Sequence, residues 1–565
     1  MAYRISKITN RVLRSYDKYG KENVLTPPEY LPPLQRPLEV VITVCLIGII
    51  PIYFLSGWQG SLILLLIALF IWGIKDVFVQ DDHTITRIYG PVGRLRYIFE
   101  EVFRDKYLQY FNETNTDGRP MPKIVRDYIY QKAKGLKSLS SFGTELDIHD
   151  PENTAYNRIL HTNFGAQPEE VTYGFQVGEH RPHIKPFHVK NVVNISAMSY
   201  GALNYKAAEC LSLGAKDVAF VNTGEGGCGP HAISGNDTVW QLGTGKFGAG
   251  KEATLPNGQA TRVLDDQLFK ETLKEFPNIG MVQLKISQGA KPGVGGHLPG
   301  AKVSPEIADV RKIQAWKTVI SPSQHAELYA STSKEAVLKL MDFCKKLREL
   351  GGLPVGIKMC IGKLQEIDLL VGAMKETGEG PDMIQIDGAD GGTGAGPNMF
   401  VNYVGYGSAV ETLAYLHMKL VDAGIRDQVK ISASGRLFTP AHAAYAFAYG
   451  ADTIETARAA MLSIGCIQAL KCHTNECPTG ITTNNKWRMH GISIPEKSTR
   501  IHKYLSGFHH DMLELTKILG RTDPRDIKPE DLRIVTQKNN FAGHFESNDK
   551  FGFYMPSPTA DIWEK

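Results

Sequence analysis

Cysteine is scarce in this chain, with eight residues among 565. Five of them stand singly, so the paired spacings of a disulfide scaffold are absent and a reducing compartment is indicated. Neither sign of charge is in excess, because the formal net charge is only +4. The well-mixed charges exclude an extended basic surface, and we therefore expect no nucleic-acid partner.

Charged residues are missing altogether between Val40 and Ile74. This stretch contains two apolar runs, residues 40–55 and 61–74, joined by a short segment with two glycines. Each run is shorter than the roughly 20 residues of a standard spanning helix, so together they predict a tight transmembrane helical hairpin over residues 39–78. A buried hydrophobic hairpin or an oligomer interface is the alternative, although soluble cores rarely contain so long a charge-free stretch.

Basic residues flank the apolar stretch on both sides, which predicts that both of its ends lie in the cytoplasm. We therefore expect an inner (cytoplasmic) membrane protein whose catalytic domain faces the cytoplasm. A signal peptide is not indicated, because the apolar stretch starts late and is double. The flanking residues are Arg4, Lys7, Arg11, Arg14, Lys18, Lys21 and Arg36 before the stretch, and Lys75, Arg87, Arg94 and Arg96 after it.

The remaining chain changes character near residue 191, where short apolar runs ending in glycine-rich turns begin to alternate with helical patterns. Such alternation implies a parallel sheet, and seven units over this length predict a (β/α)₈ TIM barrel with one strand unplaced. A doubly wound open sheet is the alternative. The predicted strands are residues 192–198, 218–221, 280–286, 355–359, 383–386, 429–433 and 453–456, and the predicted helices are 207–213, 334–350, 364–375, 409–423 and 440–449.

These patterns divide the chain into five segments. They are a basic N-terminal segment (1–38), the hairpin (39–78), a linker that covers the barrel (79–184), the barrel itself (185–490) and a C-terminal helical extension (491–565). In either type of parallel sheet the chemistry lies at the carboxyl ends of the strands, so the motifs that follow each strand are the candidates for a site.

Polar motifs follow the first four predicted strands. Glu225 stands among glycines and is exposed to whatever binds above the barrel. Lys285 and Lys291 open a loop rich in Gly and Pro, where they could hold a carboxylate substrate or the sulfides of a cluster. Lys358 ends an otherwise apolar strand, which is costly unless the ammonium meets an anion or an electron-rich ring edge, such as N1/O2 of a reduced flavin.

Glycine-rich loops and arginines follow the late strands, an arrangement with which barrels bind phosphate. A G-x-G-x-x-G fingerprint after the first strand is absent, so a mononucleotide such as FMN is favoured over a dinucleotide. The residues that we expect to contact this cofactor are Ala197, Met198, Ser199, Lys285, Lys358, Gln385, Gly391, Gly392, Thr393, Ser434, Gly435, Arg436, Ala457 and Arg458.

The three clustered cysteines are Cys466, Cys472 and Cys477, the last followed by Pro478. Soft thiolates at short spacing are typical ligands of an iron–sulfur cluster, and three of them indicate a three-iron cluster or a four-iron cluster with one outside ligand. Buried, unligated cysteines and a zinc site completed by His473 are the alternatives.

Taken together, these motifs resemble the FMN-binding synthase domain of glutamate synthase over roughly residues 185–490. The resemblance rests on Ala-Met-Ser-Tyr-Gly (197–201), Thr-Gly-Glu-Gly-Gly (223–227), the Gln-Gly-Ala-Lys-Pro-Gly loop (288–300), Ile-Ser-Pro (320–322), Asp-Gly-Gly-Thr-Gly-Ala (390–395) and Cys-x5-Cys-x4-Cys (466–477). It implies a barrel that holds FMN and a [3Fe-4S] cluster, or alternatively a [4Fe-4S] cluster. It also implies an oxidoreductase acting on CH–NH2 donors, which reductively aminates 2-oxoglutarate through 2-iminoglutarate to L-glutamate.

The resemblance also implies roles for single residues. In the family, residues matching Glu225 and Lys291 face the 2-oxo acid, while those matching Lys285 and Lys358 lie by the cluster and the flavin. His297 stands where the family usually has Gln, and we take it as a third catalytic candidate. Residues 323–326 also depart from the family, which usually has prolines and a His pair there.

No glutaminase domain is expected before residue 185, so ammonia would come from solution, a separate subunit or another amine. Without an NAD(P)H fingerprint, electrons are expected from ferredoxin or a membrane-associated donor. Two alternative functions remain, namely a related flavoenzyme acting on a different amine or 2-oxo acid, and a non-synthase electron-transfer or redox-sensing module. A homo-oligomer is also compatible with the sequence.

Overall fold

A computed structural model describes residues 35–99, 118–145, 158–163, 168–230, 235–293 and 295–533. The chain divides into two compact units, Met1–Glu100 and Glu101–Lys565. The predicted basic segment 1–38 lies almost wholly outside the described residues, as does the end of the chain after residue 533.

The first unit is built on the apolar stretch, which forms a helix over Gln35–Ile74. Gly57 interrupts this helix with φ 69° and ψ −165°, a conformation that glycine adopts at little cost. The Ser61 hydroxyl donates to the Ile49 carbonyl at 3.0 Å. Twelve residues of straight helix would span about 18 Å, so the chain turns back at Gly57 and its two halves form a helical hairpin.

Gly57–Val79 is long and apolar enough to cross a membrane, with a mean hydropathy of 2.5 over its most apolar stretch. Only 22% of that stretch is buried. Among the described residues this is the one candidate span, by length and composition alone. Insertion of the hairpin into a membrane therefore stays a prediction. The unit continues with a π-helix (Lys75–Val79), a 3-10 turn (Gly90–Gly93) and the helices Thr84–Tyr89 and Arg94–Ile98.

The second unit contains a closed barrel of eight parallel strands. In chain order they are β1 Val193–Ile195, β2 Val221–Asn222, β3 Thr238–Leu242, β4 Ile279–Lys285, β5 Val355–Met359, β6 Met383–Asp387, β7 Lys430–Ser434 and β8 Thr453–Thr456. Each strand pairs with its neighbours in the sequence, and β8 pairs with β1 to close the ring. The predicted TIM barrel is confirmed, and closure excludes the open sheet.

Helices cover the outside of the barrel. In the described part of the chain, only the connection between β2 and β3 has no helix. The helices are Lys123–Ala133, Tyr205–Ala215, Asp266–Glu275, Pro305–Arg311, Ser333–Gly351, Gln365–Thr377, Asn398–Tyr403, Ala409–Asp422, Pro440–Ala448, Arg458–Ser463, Lys486–His490 and Ile494–Ile518. The last of these packs along Tyr205–Ala215 and Lys123–Ala133.

The longest helix between two barrel strands, Ser333–Gly351, shows why these segments are helical. Thr332 caps its first turn by accepting from the Glu335 amide, and Gly352 ends it in the left-handed conformation. Its buried face includes Leu340, Cys344 and Leu347, which recur at helical spacing against the barrel.

Strand β3 is the strand that the sequence patterns did not place. All five of its residues are buried. Trp240 points outward and stacks on Phe269 at 5.2 Å, a contact worth about 0.5–1.5 kcal/mol beyond burial. Gln241 points inward and donates to Gln283 at 2.7 Å. Because Gln241 interrupts the apolar residues of β3, the segment lacks the continuous apolar run by which a buried strand is predicted.

The barrel interior is apolar at one end and polar at the other. At the amino ends of the strands, Val239, Met281 and Met383 pack against the hairpin formed by Phe175–Val177 and Phe187–Val189. Two residues further along β3, β4 and β6, the inward side chains are all glutamines. This hairpin covers the amino ends of these strands, so the polar interior opens toward the carboxyl ends.

Within the described residues, three further two-stranded pairs lie outside the barrel. They are Arg158–Ile159 with Leu532–Arg533, Gly250–Thr254 with Ala260–Leu264, and His297–Leu298 with Val319–Ile320.

Candidate active site

A cleft opens at the carboxyl ends of the strands and has two adjoining parts. Ala197, Gly392, Ala457 and Arg458 border both parts. The outer part is further lined by Met198, Ser199, Glu225, Lys291, Lys302, Arg311, Thr393 and Cys472, and the inner part by Lys358, Asp387, Ser434, Gly435, Arg436 and Glu455. Most of the predicted catalytic and cofactor residues thus lie around one cleft.

An ion pair forms one wall of the outer part. Lys285, at the end of β4, places its Nζ 2.6 Å from Oε1 of Glu225, which follows β2. Gly243 and Gly296 flank the carboxylate, and a Cβ on either would lie within 3 Å of its oxygens. Both glycines are therefore needed to let the carboxylate sit between the loops.

Electrostatics keep Glu225 ionised although it is buried. Burial raises the pKa of this carboxyl, but Lys285, Lys291 and Arg311 outweigh that effect and lower the pKa below its usual value. Burial, together with the charge of Lys285, lowers the pKa of Lys291. The wall thus gathers three cations around one carboxylate, an arrangement that favours an anionic ligand.

Arg311 is a member of this group that the sequence analysis did not find. It ends the helix Pro305–Arg311 and donates from Nη2 to the Tyr200 carbonyl at 2.7 Å. Its guanidinium lies 4.8 Å from the ring centre of Phe247, and burial lowers its pKa to about 10. The available signal was its spacing from Ile307 and Ala308, which places it on the buried face of the helix.

Behind Lys285 lies a second buried network. His325 Nε2 donates to the Lys285 carbonyl at 2.8 Å, and its Nδ1 accepts from Lys246 Nζ at 2.6 Å. Lys246 also lies 2.9 Å from Oε2 of Glu327. Burial and the charge of Lys246 hold the pKa of His325 well below its usual value, so the imidazole is neutral. This network fixes the end of β4, from which Lys285 reaches Glu225.

The inner part of the cleft is built over a hydrogen-bonded chain. Gln283 donates to Gln385, and Gln385 donates to Ser434 at 3.1 Å. Ser434 then donates to Oδ1 of Asp387 at 2.8 Å, and Lys358 Nζ lies 3.3 Å from Oδ2 of the same carboxylate. Burial raises the pKa of Asp387, but Lys358 and the hydrogen bonds lower it below its usual value. The predicted residue Gln385 is wholly buried, so it supports this floor and does not border the cleft.

Two arginines lie over glycine-rich loops at the far side of the inner part. Arg458 donates to the Asp390 carbonyl at 2.9 Å, and a Cβ on Gly392 would lie 2.9 Å from its Nε. Arg436 adopts φ 50° and is half exposed, with its Nε 3.8 Å from Asp390. Charged donors above close-packed backbone form a suitable site for a phosphate group.

The three clustered cysteines lie on the loop after Arg458–Ser463. Cys472 borders the outer part of the cleft, Cys466 is half-buried and Cys477 is buried. Burial raises the pKa of Cys466 to about 12, whereas hydrogen bonds from Thr479 and Thr482 outweigh burial and lower the pKa of Cys477. The described residues contain no group of three or more His, Cys, Asp and Glu side chains that could hold a single metal ion.

Two predicted residues remain, His297 in a short strand and Gly391 in a turn. His297 pairs with Ile320 in a short antiparallel ladder, and its side chain lies outside the described part of the structure. Gly391 donates its amide to the Gly388 carbonyl in the turn after β6. A Cβ on Gly391 would lie 2.9 Å from Oδ1 of Asp387, so this turn packs directly on the floor of the inner part.

Comparison with known proteins identifies the family. The family model described as "Conserved region in glutamate synthase" matches residues 148–522, more than half of the chain. This chain belongs to the glutamate synthase family. It is therefore a glutamate-synthase-like oxidoreductase acting on CH–NH2 donors, and the resemblance predicted from its motifs is confirmed.

Several glutamate synthase relatives are similar over different lengths. The glutamate synthase large subunit-like protein YerD of Bacillus subtilis is 34% identical over 512 residues, covering 84% of this chain and 94% of that protein. An archaeal glutamate synthase [NADPH] of Archaeoglobus fulgidus is 30% identical over 59% of each chain. The ferredoxin-dependent glutamate synthase of Cyanidium caldarium is 31% identical, and this chain spans only 22% of its length.

Solved structures that align with this chain include a flavocytochrome b2 variant with sulfite bound, at 12% identity and a TM-score of 0.40. That alignment covers 83% of this chain and 96% of the other. A lactate oxidase of Pediococcus acidilactici aligns over 75% of this chain and 97% of its own, at 12% identity and a TM-score of 0.41.

Proposed function

We propose that this member of the glutamate synthase family binds FMN and an iron–sulfur cluster and reductively aminates 2-oxoglutarate to L-glutamate through 2-iminoglutarate. The observation that carries the proposal is the meeting of Glu225, Lys285, Lys291 and Arg311 at the outer part of the cleft. These groups adjoin an inner part whose glycines and arginines suit a phosphate-bearing cofactor.

The charge of the outer part supports a dicarboxylate substrate. Three cations face one carboxylate, which leaves two net positive charges in a largely buried wall. 2-Oxoglutarate carries two negative charges, so its binding would neutralise the wall. Arg311 and Lys291 are the groups suited to hold its carboxylates, because charge-assisted hydrogen bonds are strongest where water is excluded.

The inner part fits FMN on the chemistry of its own residues. Arg436 and Arg458 would hold the phosphate, and the backbone of residues 197–199 would meet the edge of a flat ring. Lys358 lies on the floor with one carboxylate partner 3.3 Å away, so its ammonium can also stabilise negative charge on a ring above it. When bound, FMN supplies the hydride that converts the imine to the amine.

The protein groups supply binding and proton transfer. Glu225 is positioned beside Lys285 to move a proton to or from the substrate nitrogen as ammonia adds and water leaves. The ion pair with Lys285 at 2.6 Å holds the Glu225 carboxylate in position, and the His325 network holds Lys285 in place. Ammonia would enter from solution or from a separate subunit.

Cys466, Cys472 and Cys477 would hold the iron–sulfur cluster, with [3Fe-4S] as the first choice and [4Fe-4S] as the second. The support is chemical: three soft thiols lie on one loop, each close enough to the next to influence its pKa, and one of them borders the cleft. A cluster at this place would pass single electrons from ferredoxin or a membrane-associated donor.

We also place this protein at the inner (cytoplasmic) membrane, with the barrel in the cytoplasm. The support is the apolar hairpin, on which Leu62, Leu66 and Phe70 are exposed. An exposed apolar surface of this length is unfavourable in water and favourable in a bilayer. The basic flanks of the hairpin favour the cytoplasmic orientation.

Substrate binding tests the proposed function directly. Addition of 2-oxoglutarate to the oxidised holoprotein should perturb the visible flavin spectrum, and Lys291→Ala should weaken that binding at least about tenfold. The matched control is Lys312→Ala, an exposed lysine one residue after Arg311. Equal binding by Lys291→Ala and wild type would refute the site. Binding of a different 2-oxo acid in its place would favour the alternative substrate, for which His297 is the residue to change.

A further inference from the structure

A buried carboxyl group in the barrel interior has no role in the chemistry described above. Glu455 lies on β8, is only 1% exposed, and lines the inner part of the cleft together with Lys358 and Asp387. Its Oε1 accepts from the Ser432 hydroxyl at 2.9 Å. Among the described residues no donor meets its Oε2 with hydrogen-bond geometry, although the Asn222 side chain lies near enough to stabilise the ionised form. A buried carboxylate oxygen without a donor is costly, whereas a protonated carboxyl is tolerated there.

The polar neighbours of Glu455 come from four other strands. Lys358 on β5 attracts its charge and Asp387 on β6 repels it, while Ser432 on β7 and Asn222 on β2 stabilise the ionised form. Lys358 is the one cation among these four groups, and Arg436 and Arg458 border the same part of the cleft. Lys358 forms its ion pair with Asp387. Asp387 also accepts hydrogen bonds from the Gly289 amide and the Ser434 hydroxyl.

The two carboxyls beside Lys358 therefore differ in protonation. Burial raises the pKa of Glu455 to about 7, despite the attraction of Lys358. The pKa of Asp387 is lowered by Lys358 and by its hydrogen bonds, in spite of burial. Asp387 therefore keeps its negative charge near neutral pH, whereas Glu455 exchanges a proton there. Such a difference between two neighbouring acids assigns them different roles.

We propose that Glu455 is a proton-exchanging positioning residue that sets the charge of the cofactor pocket floor, and that it takes up a proton when negative charge arrives above Lys358. The inference rests on the proposed FMN function. Reduction by two electrons from the donor adds negative charge to the pocket, and a nearby negative charge favours the protonated carboxyl. The balance is one solvent proton forming one O–H bond on the Glu455 carboxylate for each two-electron reduction.

This coupling has a defined pH range. Below the pKa of Glu455 in the oxidised protein the carboxyl is already protonated, so reduction takes up no further proton there. Above that pKa the carboxylate is free to accept one. The flavin ring itself takes up fewer protons on reduction as the pH rises. Uptake by Glu455 rises with pH, so it offsets this fall, and the difference from a protein without the carboxyl identifies Glu455.

The test compares the pH dependence of the flavin midpoint potential in holoprotein between pH 6 and 9. We expect the potential of wild type to fall more steeply with pH above about 7 than that of Glu455→Gln, by the equivalent of one proton per two electrons. The exposed acid Glu366 supplies the matched control Glu366→Gln, which should follow wild type. The amide in Glu455→Gln preserves the volume and the bond from Ser432 but cannot exchange a proton.

The outcomes separate the inference from the proposed function. Identical pH dependence in wild type and Glu455→Gln, with flavin bound in both, overturns the role of Glu455. Purified protein that contains no flavin overturns the proposed function instead. If Glu455→Gln does not fold, proton uptake by wild type on reduction, followed with a pH indicator, decides. Uptake that falls less between pH 6 and pH 8.5 than the uptake of free FMN supports the proposal, and a fall as large as that of free FMN refutes it.

Discussion

The ammonium of Lys285 lies 2.6 Å from a carboxylate oxygen of Glu225, although Lys285 ends β4 and Glu225 lies in the loop after β2. The pair is held from behind by His325 and in front faces the cleft that Lys291 and Arg311 border. It is the centre of the proposed chemistry, because it joins a proton-carrying group to a cationic wall.

Glu225→Gln should lower turnover far more than substrate binding. The amide keeps the size of the side chain but cannot carry a proton, so kcat should fall by about 10²–10⁴-fold. Because a negative charge is removed from the wall, the KM for the 2-oxo acid should stay level or fall. Steady-state kinetics with an artificial reductant measures both, and the exposed Glu252→Gln serves as control. A kcat within twofold of wild type would show that Glu225 carries no proton.

Cys472→Ser should lose most of its iron and the brown absorbance of the cluster. A hydroxyl is a poor substitute for a thiolate on iron, and the other two thiols would not complete the site. Iron analysis and visible spectra of anaerobically purified protein give the measurement. The control is Cys344→Ser, a buried cysteine on the helix Ser333–Gly351. Stoichiometric iron in Cys472→Ser would contradict the ligand assignment.

His325→Leu should both destabilise the protein and weaken substrate binding. It leaves the Lys285 carbonyl and the ammonium of Lys246 without their ring partner, which should cost about 1–3 kcal/mol for each unsatisfied group. Urea unfolding and 2-oxoglutarate titration measure the two effects, and His325→Gln, which retains a donor, should partly restore binding. Unchanged substrate affinity in a folded His325→Leu protein would contradict the positioning role.

Acid should destabilise this protein through two partly buried histidines, His417 and His442. Burial lowers the pKa of each to about 4. A lowered folded-state pKa contributes stability above pH 6.5, which is lost as the pH falls from 6.5 to 4, by about 1–3 kcal/mol for each group. His442→Gln should thus show a smaller drop in melting temperature between pH 7.5 and 5 than wild type. The exposed His510→Gln should behave as wild type. If His442→Gln also behaved as wild type, burial of the neutral ring would be unimportant for stability.

The hairpin should hold the protein at a membrane. Charged residues in a span cost about 2.5–3.5 kcal/mol each, so Leu62→Glu with Leu66→Glu should move the protein from the membrane fraction to the soluble fraction. Leu95→Glu, on the short helix Arg94–Ile98, is the matched control because it lies outside the candidate span. Carbonate washing and detergent extraction of cell membranes make the comparison. Wild-type protein in the soluble fraction would contradict membrane anchoring.

Most barrel strands were predictable because short apolar runs lie between glycine-rich turns. The strands over 355–359 and 453–456 match their predicted bounds to the residue. Strand β2 covers only residues 221–222, whereas the prediction was 218–221. Val221 and Asn222 are the residues that pair with the neighbouring strands, and residues 218–220 do not. Strand β3 was missed because Gln241 faces a polar barrel interior that periodicity alone does not reveal.

The site was predictable where a residue type conflicts with its local setting. Lys358 in an apolar strand indicated a charged partner, and the structure supplies Asp387. Arg311, His325 and Glu455 could not be found in this way, because their partners lie on other strands and loops and meet them only when the barrel closes. Sequence spacing can place Arg311 on the buried face of its helix, but it does not reveal which groups it contacts.

The most direct test of the central claim is anaerobic reoxidation of the dithionite-reduced protein, followed through the flavin absorbance. Addition of 2-oxoglutarate with ammonium should reoxidise the flavin rapidly and form one L-glutamate for each flavin. Either component alone should leave it reduced. A flavin that stays reduced with both present, in protein containing FMN and iron, would contradict glutamate synthesis by this site.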